Sequence, residues 1–127
     1  MTLSARQRAL CDDTPHDYSS LSALFLNCTL KPSPQSSHTR TLIDVSAAIM
    51  EANGVDVDIV RPVDHALAPG VYGDMTEHGA DRDDWPEIYA KVMNANILVL
   101  GSPIWLGEKS SVCQHVIERL YGNSGDL

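Results

Sequence analysis

The sequence is poor in paired cysteines, in clustered basic residues and in long apolar segments. Its three cysteines, Cys11, Cys28 and Cys113, lie far apart and match neither zinc-ligand nor redox-dithiol spacing, which favours a reducing compartment. The formal net charge is −8 and the Lys and Arg residues are scattered, so neither nucleic acid nor an anionic membrane is an expected partner. No apolar run is long enough to cross a bilayer, and residues 1–20 lack a signal-peptide core. We therefore expect a soluble, cytoplasmic protein.

Metal ligation and nucleophilic catalysis by side chains also have little support. The five histidines have no ligand spacing, so no metal site is predicted. Cys113 falls on the apolar stripe of a predicted helix and is expected to be a small core residue. The acidic residues between positions 74 and 87 are interpreted as a solvated loop and a helix start rather than a cation site. They are Asp74, Glu77, Asp81, Asp83, Asp84 and Glu87.

The size and composition predict one domain. The chain has 127 residues, of which 43% are apolar, and this suffices for a single core. Residues 1–20 are polar and without a clear period, which predicts an extended or flexible N-terminal arm; the alternative is a segment packed across the domain. Residues 21–127 are predicted to form the N-terminal part of an α/β domain.

The segment from residue 21 to residue 60 predicts a βαβ unit. The apolar run Leu21–Cys28 is followed by a polar loop that contains two prolines, and residues 39–53 carry helical apolar stripes that end at a Gly cap. Val55–Val60 alternates with period two, which is typical of a strand near a sheet edge. A right-handed crossover makes the two strands parallel.

A second strand, loop and helix follow between residues 96 and 121. Residues 84–87 have the form of an acidic capping box for a helix that returns the chain to this strand. Ile97–Leu100 are consecutive apolar residues, the pattern of a central strand covered on both faces. After the loop, Ser110 or Ser111 is the expected N-cap of the last helix.

Two loops follow predicted strands and would meet at one edge of the sheet, where ligands bind in open α/β folds. The first is rich in hydroxyls and leads into a helix N-terminus, which favours a phosphate; the alternative is a capped helix after a polar turn. The second contains Trp105, whose ring either covers the core edge or flanks a planar ligand. A planar ring with a phosphate tail fits both loops.

From Leu21 onward the sequence resembles the flavodoxin-like NAD(P)H-dependent FMN reductase family. Thr29-Leu30-Lys31 and Ser37-His38-Thr39 are similar to the family's phosphate-binding positions, with residues 32–36 as an insertion and His38 in place of the usual Asn. Residues 101–107 resemble the family's loop along the isoalloxazine ring. The cofactor-binding residues that the resemblance implies are Thr29, Lys31, Ser37, His38, Thr39, Pro103, Ile104, Trp105, Leu106 and Gly107.

The resemblance implies a three-layer αβα fold with a parallel sheet, FMN as the cofactor and NAD(P)H as the co-substrate. Because flavin carries the hydride chemistry, no catalytic side chain is expected. In the implied cycle NAD(P)H reduces FMN, and a small acceptor such as a quinone reoxidises it. Backbone N–H groups of residues 104–107 would stabilise the reduced ring.

The sequence contains only the first three strands of the flavodoxin-like order 2-1-3-4-5. Ile97–Leu100 would then lie at an open apolar edge, which favours association with further chain or with another protein, including a second copy. Two hypotheses follow. One is an FMN-dependent oxidoreductase that is whole only with more chain; the other is a non-catalytic flavodoxin-like module, or inactive fragment, that binds a partner through this edge.

Overall fold

The computed structural model describes residues 2–126 and shows a parallel sheet with helices on both faces. In chain order the helices and strands are α1 (Ala5–Asp12), β1 (Ser22–Asn27), α2 (His38–Ala52), β2 (Asp56–Val60), α3 (Trp85–Asn94), β3 (Ile97–Gly101), β4 (Ile104–Trp105), β5 (Glu108–Lys109) and α4 (Ser111–Gly122). Strands β1 to β3 form the parallel sheet in the order β2-β1-β3, and β4 and β5 form a separate antiparallel hairpin. The predicted α/β class and strand order are confirmed. No helix within residues 2–126 has the length and apolar character needed to span a membrane.

The centre of the sheet is β1, which pairs with β2 on one side and β3 on the other. All of its residues from Ala23 to Asn27 are buried. By contrast, β3 lies at the sheet edge, and Leu98 is 38% exposed. The central position predicted for Ile97–Leu100 is therefore wrong for the described part of the chain, because no strand there pairs with its outer side, and the open edge expected from a three-strand sequence is present. The strand still packs on both faces, Ile97 and Val99 against one cluster and Leu100 against the other.

The sheet buries apolar side chains on both faces. Ala23 and Phe25 of β1 pack with Ile43 and Ala47 of α2 on one face. Full burial of a Leu, Ile or Phe side chain contributes roughly 1.5–3 kcal/mol, so the packing of α2 against the sheet stabilises the fold. The opposite face carries the second cluster, which consists of Leu24, Leu26, Cys28, Val60, Trp85, Ile88, Cys113 and Val116. The prediction of Cys113 as a small core residue is confirmed.

The ends of α2 and the start of α4 carry recognisable caps. The Ser37 side chain caps the start of α2, and Gly54 follows its end with a φ of 86°, as the sequence predicts. Ser110 rather than Ser111 caps α4. The capping box predicted at the start of α3 is wrong. Asp84 makes no side-chain cap bond, because its carboxylate accepts the N–H of Ala66 instead.

Residues 1–20, predicted to be an extended or flexible arm, contain the helix α1. Ser4 and Gln7 form a capping box, with N···O distances of 2.8 and 3.2 Å, and this starts the helix. Leu3 is buried and α1 contacts α2. The extended conformation is therefore wrong for Ala5–Asp12, and these contacts favour the alternative of a segment packed across the domain.

A buried ion pair anchors the long connection between β2 and α3. The side chains of Arg119 and Asp83 are both 0% exposed, and two guanidinium nitrogens donate to the two carboxylate oxygens at 2.9 and 2.8 Å. Burial raises the pKa of Asp83, but hydrogen bonds from Arg119 and from the backbone of Met75, Trp85 and Ala68 outweigh it and lower the pKa to about 2. The interpretation of Asp83 as part of a solvated acidic loop is wrong, because its side chain is fully buried against Arg119 of α4.

Candidate functional site

A pocket of about 400 Å³ lies between the loops that follow β1 and β3. Since β1 pairs directly with β3, both loops leave the carboxyl ends of adjacent parallel strands, where open α/β sheets bind ligands. The volume falls within the range of small-molecule sites. The pocket is lined by Thr29, Leu30, Lys31, Ser37, His38, Thr39, Pro103 and Trp105. Seven of these are predicted site residues, and Leu30 is an addition.

The first turn of α2 forms one wall of the pocket. Its N-terminal N–H groups have no acceptor within the helix, and the helix dipole is positive at this end. Ser37 Oγ accepts the N–H of Arg40 at 3.2 Å, and a hydroxyl that accepts this bond still has its own proton to donate. Thr39 adds a second hydroxyl and Lys31 a positive charge. This wall is suited to a phosphate group.

Asn27, at the end of β1, shapes the start of the first loop. Its Oδ1 accepts the N–H of Thr29 at 3.3 Å, and Thr29 Oγ1 in turn accepts the N–H of Lys31 at 3.2 Å. Such bonds from residue i to residue i+2 turn a chain out of a strand. Asn27 is not among the residues predicted from the sequence, although a polar residue at the end of a buried apolar run is a signal for this turn.

Two further side chains that sequence reasoning missed hold the insertion at residues 32–36. Arg61 donates to the carbonyl oxygens of Lys31 and Gln35, at 2.9 Å each. Asp64 accepts the N–H of Ser33 at 2.8 Å and also accepts its hydroxyl. The only sequence signal was that both charged residues follow the predicted strand β2. These contacts give the loop a defined shape from protein groups alone.

The second loop is the hairpin of β4 and β5 rather than irregular chain. Its turn residues, Leu106 and Gly107, have φ values of 52° and 80°, as a type I′ turn requires. Trp105 is 53% exposed and lines the pocket with Pro103, which favours the ligand-flanking interpretation over the core-covering one. The structure does not bring Ile104, Leu106 and Gly107 to this pocket, and Leu106 is fully exposed at the tip of the hairpin.

Two serines join the base of the hairpin to β1 and α4. The N–H of Ser110 donates to Ser102 Oγ at 2.9 Å. Ser110 Oγ donates to the carbonyl oxygen of Cys28 at 2.7 Å and accepts the N–H of Cys113 at 3.0 Å. Ser110 is fully buried, and together with the backbone bond from the Cys28 N–H to the Gly101 carbonyl oxygen at 2.7 Å it joins the starts of the two loops that form the pocket.

The groups around the pocket suit binding and orientation of a ligand rather than side-chain catalysis. Burial, and then the neighbouring Cys113, raises the pKa of the Cys28 thiol to about 12, so this thiol stays protonated and unreactive at neutral pH. Among residues 2–126, no group of three or more His, Cys, Asp or Glu side chains could hold a metal ion. The pocket offers hydroxyl and backbone donors, a lysine and an aromatic ring, which match an aromatic ligand with a phosphate.

The strand order and the position of the pocket define a flavodoxin-like α/β domain of the kind that binds a flavin or nucleotide at its strand ends. The chain belongs to the NADPH-dependent FMN reductase family, whose model matches residues 22–126. The resemblance found in the sequence is therefore confirmed.

Two relatives and one solved structure are similar to most or all of this chain. All 127 residues align at 52% identity with 18% of the divalent metal cation transporter MntH of Mycobacterium bovis. The 8-demethyl-8-aminoriboflavin-5′-phosphate synthase of Streptomyces davaonensis is 34% identical over 105 residues, which are 79% of this chain and 41% of that protein. A crystal structure of RosB with the bound intermediate 8-demethyl-8-formylriboflavin-5′-phosphate has a TM-score of 0.71 and 34% identity, and the match covers 80% of this chain and 42% of that one. The chain thus spans less than half the length of each.

Proposed function

We propose that this chain is the FMN-binding part of an oxidoreductase that passes electrons from NAD(P)H to a small acceptor such as a quinone. The observation that carries the proposal is the meeting, around one pocket, of the hydroxyl-rich N-terminus of α2 and the half-exposed ring of Trp105. Membership of the FMN reductase family supports it, as does the riboflavin phosphate derivative bound in the RosB structure.

The residues of the pocket fit the two ends of FMN. Ser37, Thr39 and the free N–H groups of α2 would hold the phosphate, with Lys31 and His38 at the rim, while Trp105 would lie against the ring. FMN, when bound, supplies the hydride chemistry. The protein's part is to bind and orient the ring and to shield one side of it from water. That part needs no side-chain acid or base.

An oxidised metal ion is a second candidate for the acceptor. It is favoured by the 52% identity between the whole chain and a segment of a divalent metal cation transporter. Because such a transporter handles metal in the divalent state, a reductase joined to it would have a use in converting ferric to ferrous iron. In this reaction one NAD(P)H reduces two ferric ions to two ferrous ions and yields NAD(P)⁺ and one proton. The flavin pocket is the same in both cases, and only the oxidant differs.

The test is anaerobic oxidation of NADPH or NADH by the purified chain with added FMN, with either a benzoquinone or ferric citrate as the acceptor. We expect oxidation faster than with free FMN alone, and the faster acceptor identifies the second substrate. Ser37→Ala/Thr39→Ala should raise the FMN concentration needed for half-maximal rate, because the phosphate loses two donors. No binding of FMN, together with no acceleration over free FMN, would show that the proposal is wrong.

A further inference from the structure

Asn27 carries a buried hydrogen-bond donor that no group of residues 2–126 accepts. The residue is 1% exposed, its Oδ1 is engaged by the N–H of Thr29, and its Nδ2 has no partner among the described residues. An unpaired buried N–H destabilises the fold, and native proteins rarely retain one without a reason. The acceptor for Nδ2 is therefore to be sought in a ligand or in an ordered water.

The position of Asn27 points to the pocket. Its register partner in β3 is Gly101, and a Cβ built on Gly101 would lie 3.2 Å from Thr39 Cγ2 and 2.8 Å from Ile43 Cδ1. Paired residues of adjacent strands share a face, so Asn27 faces the same first turn of α2. Thr29, which the Asn27 oxygen holds, and Thr39 both line the pocket. The unpaired N–H group thus lies beneath the end of the pocket that suits a phosphate.

We propose that Asn27 is a specificity-determining residue that donates its carboxamide N–H to the phosphate end of the bound flavin, directly or through one ordered water. The inference rests on the proposed function and deepens it, because it names a residue that separates FMN from riboflavin. The oxygen of the same carboxamide holds Thr29. The Asn27 side chain would therefore hold the first loop through its oxygen and bind the flavin phosphate through its nitrogen.

Asn27→Asp is the sharpest variant, because a carboxylate keeps the acceptor for Thr29 but replaces the donor by a charged acceptor. We expect FMN affinity to fall by roughly tenfold or more and riboflavin affinity to change by less than about twofold in fluorescence titrations. Asn53→Asp is the matched control. Asn53 donates to the Ile49 carbonyl at the other end of α2, so its replacement should leave the FMN-to-riboflavin ratio unchanged. Equal losses for both flavins in Asn27→Asp would overturn the inference.

The wild-type chain provides a second readout if the buried carboxylate prevents folding. The side-chain amide resonances of Asn27 in NMR spectra should shift on addition of FMN or inorganic phosphate, and much less with riboflavin. FMN binding that leaves these resonances unmoved would overturn the inference alone. A shift with phosphate in a chain that binds neither flavin would support Asn27 as an anion donor and refute the flavin proposal. No response to flavin or phosphate would refute both.

Discussion

Individual side chains around the pocket divide their hydrogen-bonding groups between the protein and the space that a ligand would occupy. Ser37 accepts the N–H of Arg40, and Asn27 accepts the N–H of Thr29, while the hydroxyl proton of Ser37 and the two amide protons of Asn27 stay available. Because the protein bond already fixes the side chain, less conformational entropy is lost when a ligand binds. The pocket is therefore organised by the fold before the ligand arrives.

Trp105 is the residue whose change tests the ring end of the pocket. Trp105→Ala should weaken FMN and riboflavin alike by several-fold, since loss of an aromatic contact costs roughly 0.5–1.5 kcal/mol beyond buried area and both ligands carry the same ring. Titration of flavin fluorescence measures both affinities in wild type and in Trp105→Ala, and in wild type we expect Trp105 to be quenched as either flavin binds.

Trp85→Phe is the control for this experiment. Trp85 is fully buried and its Nε1 donates to Asn123 Oδ1 at 2.8 Å, so its replacement should lower stability without changing the ratio of the two affinities. The sequence has two tryptophans, so Trp85→Phe also leaves Trp105 as the single fluorophore. An unquenched Trp105 in that variant, at saturating FMN, would place the ring elsewhere.

At the scale of elements, a few buried hydrogen bonds hold segments that have little regular structure. Arg119 of α4 donates to the carbonyl oxygens of Ala68 and Tyr72 as well as to Asp83, and so ties the long connection before α3 to the core. Ser110 does the same for the base of the hairpin. The start and the last turns of α4 therefore contribute contacts to both the hairpin and the long connection.

The Asp83–Arg119 pair predicts a loss of stability in acid. The pKa of Asp83 is lowered in the folded chain from 3.8 to about 2, so the pair stabilises the fold above the ordinary pKa and loses this contribution as the pH falls towards 2. The shift in pKa corresponds to about 2 kcal/mol in the free energy of unfolding. Urea unfolding of wild type and Asp83→Asn should therefore show a large stability gap near neutral pH that narrows as the pH falls from about 5 to about 2.

Asp58→Asn is the control for the acid experiment. Asp58 pairs with Lys91 at 2.8 Å, but both side chains are about half exposed, at 55% and 50%. A solvent-exposed pair of this kind contributes roughly 0–1 kcal/mol, so its stability gap should stay small at every pH. If Asp83→Asn lowered the free energy of unfolding at neutral pH as little as Asp58→Asn does, this would contradict the role given to the buried pair.

For the molecule as a whole, the sequence predicts what is encoded locally. The apolar run of β1, the alternation of β2 and the helical stripes of residues 39–53 place two strands of the sheet and α2 correctly, and seven of the residues that the family resemblance implies line one pocket. The hairpin was missed because Leu106 occupies a left-handed position that usually carries Asn or Gly. The Arg119 pair and the Arg61 contacts were missed because charge alone does not identify a partner that is distant in the sequence.

The open edge of β3 predicts self-association of the 127-residue chain. Leu98 is 38% exposed on a strand whose outer backbone groups pair with no strand of residues 2–126. Sedimentation velocity should show concentration-dependent dimers or larger species. Leu98→Lys should shift the population towards monomer, because a charge on an edge strand opposes pairing.

Leu42→Lys is the matched control for association, since Leu42 is 73% exposed but lies on α2 rather than on a strand with unpaired backbone groups. It should leave the distribution unchanged. A wild-type chain that sediments as a monomer at all concentrations would contradict this prediction. If Leu98→Lys and Leu42→Lys shifted the distribution equally, the edge of β3 would not be the site of association.

The most direct test of the central claim is calorimetric titration of FMN and riboflavin into wild type and Ser37→Ala/Thr39→Ala. If the N-terminus of α2 holds the phosphate, the double variant should lose FMN affinity by more than about tenfold, since each bond to a charged group is worth about 1.5–3 kcal/mol, and should bind riboflavin as wild type does. Ser4→Ala, which removes the cap of α1, controls for loss of a helix cap and should change neither affinity. Equal losses of FMN and riboflavin affinity in the double variant would contradict the assignment of this pocket to the flavin phosphate.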